Sequence, residues 1–317
     1  MTQFGLFLSS EEHGPRALVE QAQQAAAAGF RSVMISDHFH PWLDRQGESP
    51  FVWSVIGGIA ATTTLSVTTG VTCPMVRMHP AVVAHAAATS QLMLDGRFRL
   101  GVGSGEALNE HILGDHWPPA AVRQEMLEES IEVMRKLWTG AVITHHGRHY
   151  RVENARIYSR PNDPPPVLVS AFGSTAIQLA ARTGDGLVTT RPDRSFVEDY
   201  RDAGGAGPTI ASTKICFDRD ESKARKLAHT LWPTDSLPGQ LNQELPLPAH
   251  FEQAASLVTE EMVAESVPCG PDPQRHVEAI RQYLDAGFDE IFINQIGDDL
   301  PGFLEFWENE LRGRLGA

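Results

Sequence analysis

The chain has 317 residues, 42% hydrophobic and 21% charged, a balance that excludes a disordered chain and supplies enough apolar material for one large core. A net charge of −14 argues against nucleic acid or an anionic membrane surface as a partner. Cys73, Cys216 and Cys269 are far apart and form no CxxC pair, which argues against a disulfide framework or a cysteine zinc site and suits a reducing cytoplasm.

The opening MTQFGLFLSSEEHG has no basic stretch and no long apolar run, so neither a signal peptide nor a membrane span is expected. Within it FGLFL (4–8) is the first predicted strand. A helix rich in Ala and Gln follows over 16–28, with Gly29 where a C-terminal cap is wanted.

SVMIS (32–36) is the second strand and runs into SDHFHPW. If the chain stays extended, His38 and His40 point the same way. They could form a metal pair, but that needs further ligands at later strand ends, where the chain has Ser170, Ala171, Thr189 and Thr190. No metal is therefore expected. His40 suits a buried ring satisfied by a backbone carbonyl. His38 suits acid–base work, because an imidazole exchanges protons near neutral pH. Trp42 offers a flat apolar wall, to a substrate or simply to the core.

LSVTTGVT (65–72) is the third strand, ending in the turn-like GVTCPM (70–75), and a helix follows over 81–94. FRLGVG (98–103) is the fourth and leads into GVGSGEALNE. Gly101, Gly103 and Gly105 let backbone approach a ligand, although their spacing is not that of a Rossmann fingerprint. Glu106 stands where a flat ring could lie and can donate a proton; it also reads as a plain helix-start glutamate.

A helix over 122–138 carries Met126, Ile131, Met134 and Leu137 at helical spacing. A long excursion over 145–166 ends in PNDPPP before VLVS (167–170), the fifth strand. Gly173, Ser174 and Thr175 then open a helix whose free amides and positive end suit a phosphate. Capping by Ser174 is compatible with the same sequence.

GLVTT (186–190), TKICF (213–217) and EIFINQ (290–295) complete eight strands, with a proline-rich, strandless segment over 231–273 before the last. Eight β-then-α units with strands too apolar to face water imply a parallel sheet covered by helices. The count of eight implies a closed (β/α)8 TIM barrel. One domain over 1–317 is expected, with rim insertions at about 145–166 and 231–273 and a site at the carboxyl ends of the strands.

Taken together, SDHFHPW, GSGEALNE and AFGSTAIQLAARTGDG resemble the coenzyme F420 (deazaflavin) branch of the luciferase-like barrels, in particular the F420-dependent glucose-6-phosphate dehydrogenase group. The resemblance covers nearly all of 4–190 and resumes at DPQRHVEAIRQYLDAGFDEIFINQ. It implies an oxidoreductase that moves a hydride between F420 and a small alcohol, sugar or carbonyl substrate, and a homodimer. FMN, in a luciferase-like monooxygenase, is the alternative cofactor. By the same resemblance Asp37, Val71, Gly105, Glu106 and Asn109 line the ring or its ribityl tail. A non-proline cis peptide at Gly70–Val71 backs the ring, and Gly173, Ser174 and Thr175 hold the cofactor phosphate. His38 takes the proton from a substrate hydroxyl, Glu106 protonates the ring nitrogen, and Trp42 packs beside the substrate.

The resemblance weakens where sugar-phosphate members place Lys and Arg. Here TTRPDRS puts Asp193 near an expected Lys, and AESVPCGPDP has Ser266 near an expected Arg. Thr190, Arg191 and Lys214 remain as substrate-binding candidates. Losing cations removes the charge-assisted bonds a phosphate needs, so glucose 6-phosphate is not expected to be the substrate.

Overall fold

A computed structural model describes residues 2–316. Eight parallel strands close into a barrel: β1 (Gln3–Leu8), β2 (Ser32–Ile35), β3 (Ser66–Thr69), β4 (Phe98–Val102), β7 (Val167–Ser170), β8 (Gly186–Thr189), β9 (Thr209–Ile215) and β10 (Glu290–Gln295), which pairs back onto β1. Strands β5 (Ile143–His146) and β6 (Arg151–Ala155) form a separate antiparallel hairpin. The barrel strands are buried on both sides, which is why they read as short apolar runs.

The helices in chain order are α1 (Pro15–Ala27), α2 (Val52–Thr62), α3 (Pro80–Met93), α4 (Ala107–Glu110), α5 (Ala120–Trp138), α6 (Ser174–Thr183), α7 (Arg194–Asp202) and α8 (Glu221–Leu231). They continue with α9 (Leu241–Glu244), α10 (Pro248–Ala255), α11 (Glu260–Ser266), α12 (Pro273–Ala286), α13 (Leu300–Phe306) and α14 (Arg312–Leu315). Pro at the first turn of α1, α3, α10, α12 and α13 suits a position whose N–H has no helical partner. Among the described residues no helix is long and apolar enough to cross a membrane.

The barrel interior is filled from below. Near the amino ends Arg99 donates to both oxygens of Glu290, at 2.6 and 2.8 Å, and to Thr68 Oγ1 at 2.9 Å. Above that pair sits a plug of Met34, Leu168, Val188, Ile210 and Phe292. Only the carboxyl-end mouth is left for chemistry.

Three expectations change. The third strand ends at Thr69, before a cis Gly70–Val71 peptide, and Thr72 makes a single bridge to Val102. The seventh barrel strand is 209–215 rather than 213–217: it starts just after Pro208, and Cys216 leaves the ladder to pair by its backbone with that of Cys269. The excursion at 145–166 opens with the unexpected β5–β6 hairpin. Glu129 of α5 holds that hairpin by accepting from His149 N at 3.0 Å and Tyr150 N at 2.9 Å. The 231–273 segment is strandless as expected, and folds into a short 3-10 turn and α9–α11 over the mouth.

The β3–β4 contact leaves no room for a side chain. A Cβ on Gly101 would lie 1.9 Å from the Thr69 carbonyl oxygen, which is backbone and has no rotamer to yield. Gly101→Ala should therefore destabilise the fold by about 3 kcal/mol. Gly313→Ala, in open space on α14, should be neutral or slightly stabilising. Thermal unfolding of the two variants checks the contrast; equal melting points would contradict it.

Candidate active site

At the mouth, β1 and β2 end side by side, and their exits bring Glu11 to His38. His38 Nε2 lies 3.5 Å from Glu11 Oε1, and both side chains are almost fully buried. His38 Nδ1 lies 3.3 Å from the His40 carbonyl oxygen. That oxygen can only accept, and so can the Glu11 carboxylate at Nε2, so each ring nitrogen faces an acceptor for a hydrogen. Glu11 is fixed in turn, its Oε2 accepting from Ser36 Oγ at 2.7 Å and Ser9 Oγ at 3.0 Å. The arrangement is a base backed by a carboxylate that can stabilise it once protonated. Glu11 was missed in the sequence, although SSEE directly after the first strand is where the strand-end rule would have found it.

His38 and His40 do not point together. The chain between Asp37 and Pro41 is not extended strand, and His40 Nδ1 faces the Leu108 carbonyl oxygen at 2.9 Å. Among the described residues no group of three or more His, Cys, Asp or Glu could hold a metal. The Trp42 ring lies 5.2 Å from the His38 ring and edge-on to Phe251 at 5.2 Å, a wall between the base and the rim insertion.

Asn109 joins the histidine loop to the glutamate. Its Oδ1 accepts from Phe39 N at 2.8 Å and His40 N at 3.1 Å, while its Nδ2 reaches Glu106 Oε2 at 3.4 Å. Glu106 is half-buried just before α4. His38 and Glu106 thus share one mouth, two hydrogen-bonded residues apart. Asn109 is buried and spends its amide on this brace, so its first task is to position both loops. Asn109→Ala should leave two partly buried backbone amides without their partner, destabilising the fold by about 1 kcal/mol. Denaturant unfolding reads that loss, and an unchanged midpoint would count against the brace.

The glycines after β4 serve packing more than open approach. A Cβ at Gly103 would meet Val71 Cγ2 at 2.8 Å; one at Gly105, whose φ is +70°, would meet Cys73 Sγ at 2.6 Å. Val71, which follows the cis peptide, is thereby packed against β4 and the apolar plug. Asp37 is buried and engaged twice, accepting from Thr72 Oγ1 at 2.7 Å and Arg77 Nη2 at 2.9 Å. Arg77 also sits 3.5 Å from Glu110, and burial raises the Glu110 carboxyl above its ordinary range. Arg77 and Glu110 went unnoticed in the sequence because nothing at a strand end marks them.

Helix α6 begins across the mouth with Gly173 as its N-cap, and no side chain caps its first turn. Capping by Ser174 does not occur. Gly173, Ser174 and Thr175 are exposed, so the positive helix end and its free amides face outward.

Residues 1–290 match the sequence profile of the family described as luciferase-like monooxygenase. The chain belongs to the luciferase-like monooxygenase family. It is 36% identical over 98% of its length to the F420-dependent glucose-6-phosphate dehydrogenase of Segniliparus rotundus, covering 97% of that protein. The corresponding enzyme of Nakamurella multipartita is 35% identical over 99% of this chain and 96% of its own. A solved F420-dependent secondary alcohol dehydrogenase, in complex with an F420–acetone adduct, superposes with a TM-score of 0.91 at 30% identity, covering 99% of each chain. The coenzyme F420-dependent tetrahydromethanopterin reductase of Methanopyrus kandleri, with a TM-score of 0.80 at 19% identity over 99% of each chain, shares the fold.

On the remaining side of this luciferase-like barrel, the substrate-side candidates are dispersed. Thr190 and Arg191 are exposed, and the Thr190 carbonyl accepts from Tyr283 OH at 2.8 Å. Asp193 caps α7 by accepting from Ser195 N at 2.9 Å, and Ser266 Oγ turns back to the Val263 carbonyl at 3.1 Å. Lys214 is not free: its Nζ pairs with Asp235 at 2.7 Å and lies 4.0 Å from the centre of the Trp232 ring.

Beside them Glu12 is half-buried, accepting from Trp232 Nε1 at 2.6 Å and Gly297 N at 2.8 Å. Burial outweighs those bonds and pushes its carboxyl from 4.5 up to about 7. A folded value above the unfolded one means that its contribution is fully present below pH 4.5 and is lost as pH rises through 7. The loss across that window is at most about 3 kcal/mol. Glu12→Gln removes this titration, so its melting point should decline less from pH 4.5 to pH 7.5 than the wild type's; parallel declines would contradict the assignment.

Proposed function

We propose that the chain is an F420-dependent oxidoreductase that moves a hydride between the deazaflavin and a small neutral alcohol or the matching carbonyl compound. The observation that carries the reading is the His38–Glu11 pair and the Glu106 carboxyl on one mouth, joined through Asn109. The relatives and the alcohol dehydrogenase structure named above support it.

The residues present fit such a cofactor. Val71, packed against Gly103 and the apolar plug, offers an apolar backing for a flat ring. The exposed, uncapped start of α6 offers a phosphate its amides. Gly70, Val71, Gly105 and Glu106 would flank the ring, with Asp37 and Asn109 bracing those contacts from behind, and Gly173, Ser174 and Thr175 would hold the phosphate. When bound, F420 supplies a carbon that accepts or returns a hydride.

Everything else falls to the chain. His38 Nε2 accepts the substrate hydroxyl proton, and the Glu11 carboxylate balances the imidazolium that results. Glu106 holds the second proton-carrying position and would face the ring. Trp42 orients the substrate against His38 and helps keep water out.

A flavin mononucleotide monooxygenase on the same fold is the second reading. The FMN complex among its structural neighbours is only 18% identical, which speaks for the fold alone. Titrating the protein with oxidised F420 and with FMN, by ring fluorescence, tests the choice. F420 should bind at least tenfold tighter; tight FMN binding with oxygen consumption would reverse the assignment. Three free, buried cysteines support a reducing cytoplasm as its compartment. A homodimer, implied by the family resemblance, is tested by sedimentation.

A further inference from the structure

We propose that Asp235 is a specificity-determining residue, an internal counter-ion that holds Lys214 and so closes the substrate side of the mouth to anionic substrates. The proposal rests on the function above only for where the substrate lies.

Lys214 follows Ile210 and Ser212 at alternate positions of β9, and Ile210 belongs to the apolar plug inside the barrel. Side chains two apart on a strand share a face, so Lys214 rises from the inner wall into the mouth. A lysine there is a point charge well placed for a phosphate or carboxylate group. In this chain both sides of it are taken: the Asp235 carboxylate stands 2.7 Å away, and the Trp232 ring faces it at 4.0 Å. Lysine and aspartate are both largely covered, at 22% and 31% exposure, so the pair is less screened than an ion pair in open water.

Trp232 cannot swing aside without breaking its bond to Glu12. It also packs in one apolar cluster with Trp42, which links the locked cation to the wall beside His38. An incoming phosphate would have to displace Asp235 from Lys214 and then sit against that carboxylate, with Glu11 and Glu12 on the neighbouring loop. A neutral alcohol meets no such opposition. Specificity by a built-in repulsive group is as effective as specificity by attraction.

The test is direct binding to cofactor-free protein, followed by isothermal titration calorimetry with glucose 6-phosphate and, separately, inorganic phosphate. It compares the wild type, Asp235→Asn and the double variant Asp235→Asn, Lys214→Met. The start of α6 is the same in all three, so any phosphate bound there cancels. Asp235→Asn should bind glucose 6-phosphate at least tenfold tighter than the wild type, and the double variant should lose that gain. A matching gain for inorganic phosphate assigns the effect to charge alone, and a gain confined to the sugar phosphate assigns it to the whole ligand; either supports the proposal. A gain below tenfold, or one that survives removal of Lys214, overturns it. Asp235→Ser replaces the asparagine variant should that one fail to fold, as judged by its melting point. Because the calorimetry needs no cofactor, a failure of F420 chemistry would leave this result interpretable.

Discussion

Replacing His38 by alanine should lower the rate of alcohol oxidation by about 10²–10⁴-fold, the range typical for loss of a general base. The loss should fall on kcat, with KM changing little, because the imidazole acts on the proton in the transition state rather than holding the substrate in the ground state. Added imidazole should restore part of the rate to His38→Ala, since the cavity left beside Glu11 keeps the carboxylate that steadies the cation. Glu11→Gln should be milder and should leave nothing for imidazole to rescue. If His38→Ala retains wild-type kcat, or is inactive and unfolded, the base is elsewhere or the ring is structural.

Ser174→Asp should weaken F420 binding about tenfold or more while leaving the protein as stable as before or slightly more so. An acidic residue in the first turn favours a helix, and α6 has none there and no side-chain cap. The same carboxylate would repel a phosphate bound at those amides. Opposite signs for binding and stability separate this account from simple damage, which lowers both. Unchanged F420 affinity would place the phosphate elsewhere.

The barrel was legible because eight strands buried on both faces must be short and apolar. The β5–β6 hairpin was not, since ITHH and RVENA lie on the outside with a single buried residue in each. The seventh barrel strand starts earlier than expected because Thr209 and Ser212, although buried, look too polar for a barrel wall, while ICF is the denser apolar run.

In the site, His38, Trp42 and Glu106 stood out because they follow strands directly. Asn109 and Asp37, ring contacts by resemblance, are also held by neighbouring loops, which only coordinates reveal. The glycines after β4 were read as space for a ligand, whereas Thr69, Val71 and Cys73 fill the space their missing Cβ atoms leave. The Lys214–Asp235 pair lay out of reach of sequence reasoning. It joins a strand to an insertion with no pattern of its own.

The most direct test mixes purified protein, oxidised F420 and propan-2-ol without oxygen and follows the visible absorbance of the deazaflavin. The account predicts saturable F420 binding and bleaching that depends on the alcohol and fails in His38→Ala. Protein that leaves F420 oxidised across a panel of neutral alcohols, yet bleaches it with glucose 6-phosphate, would contradict it.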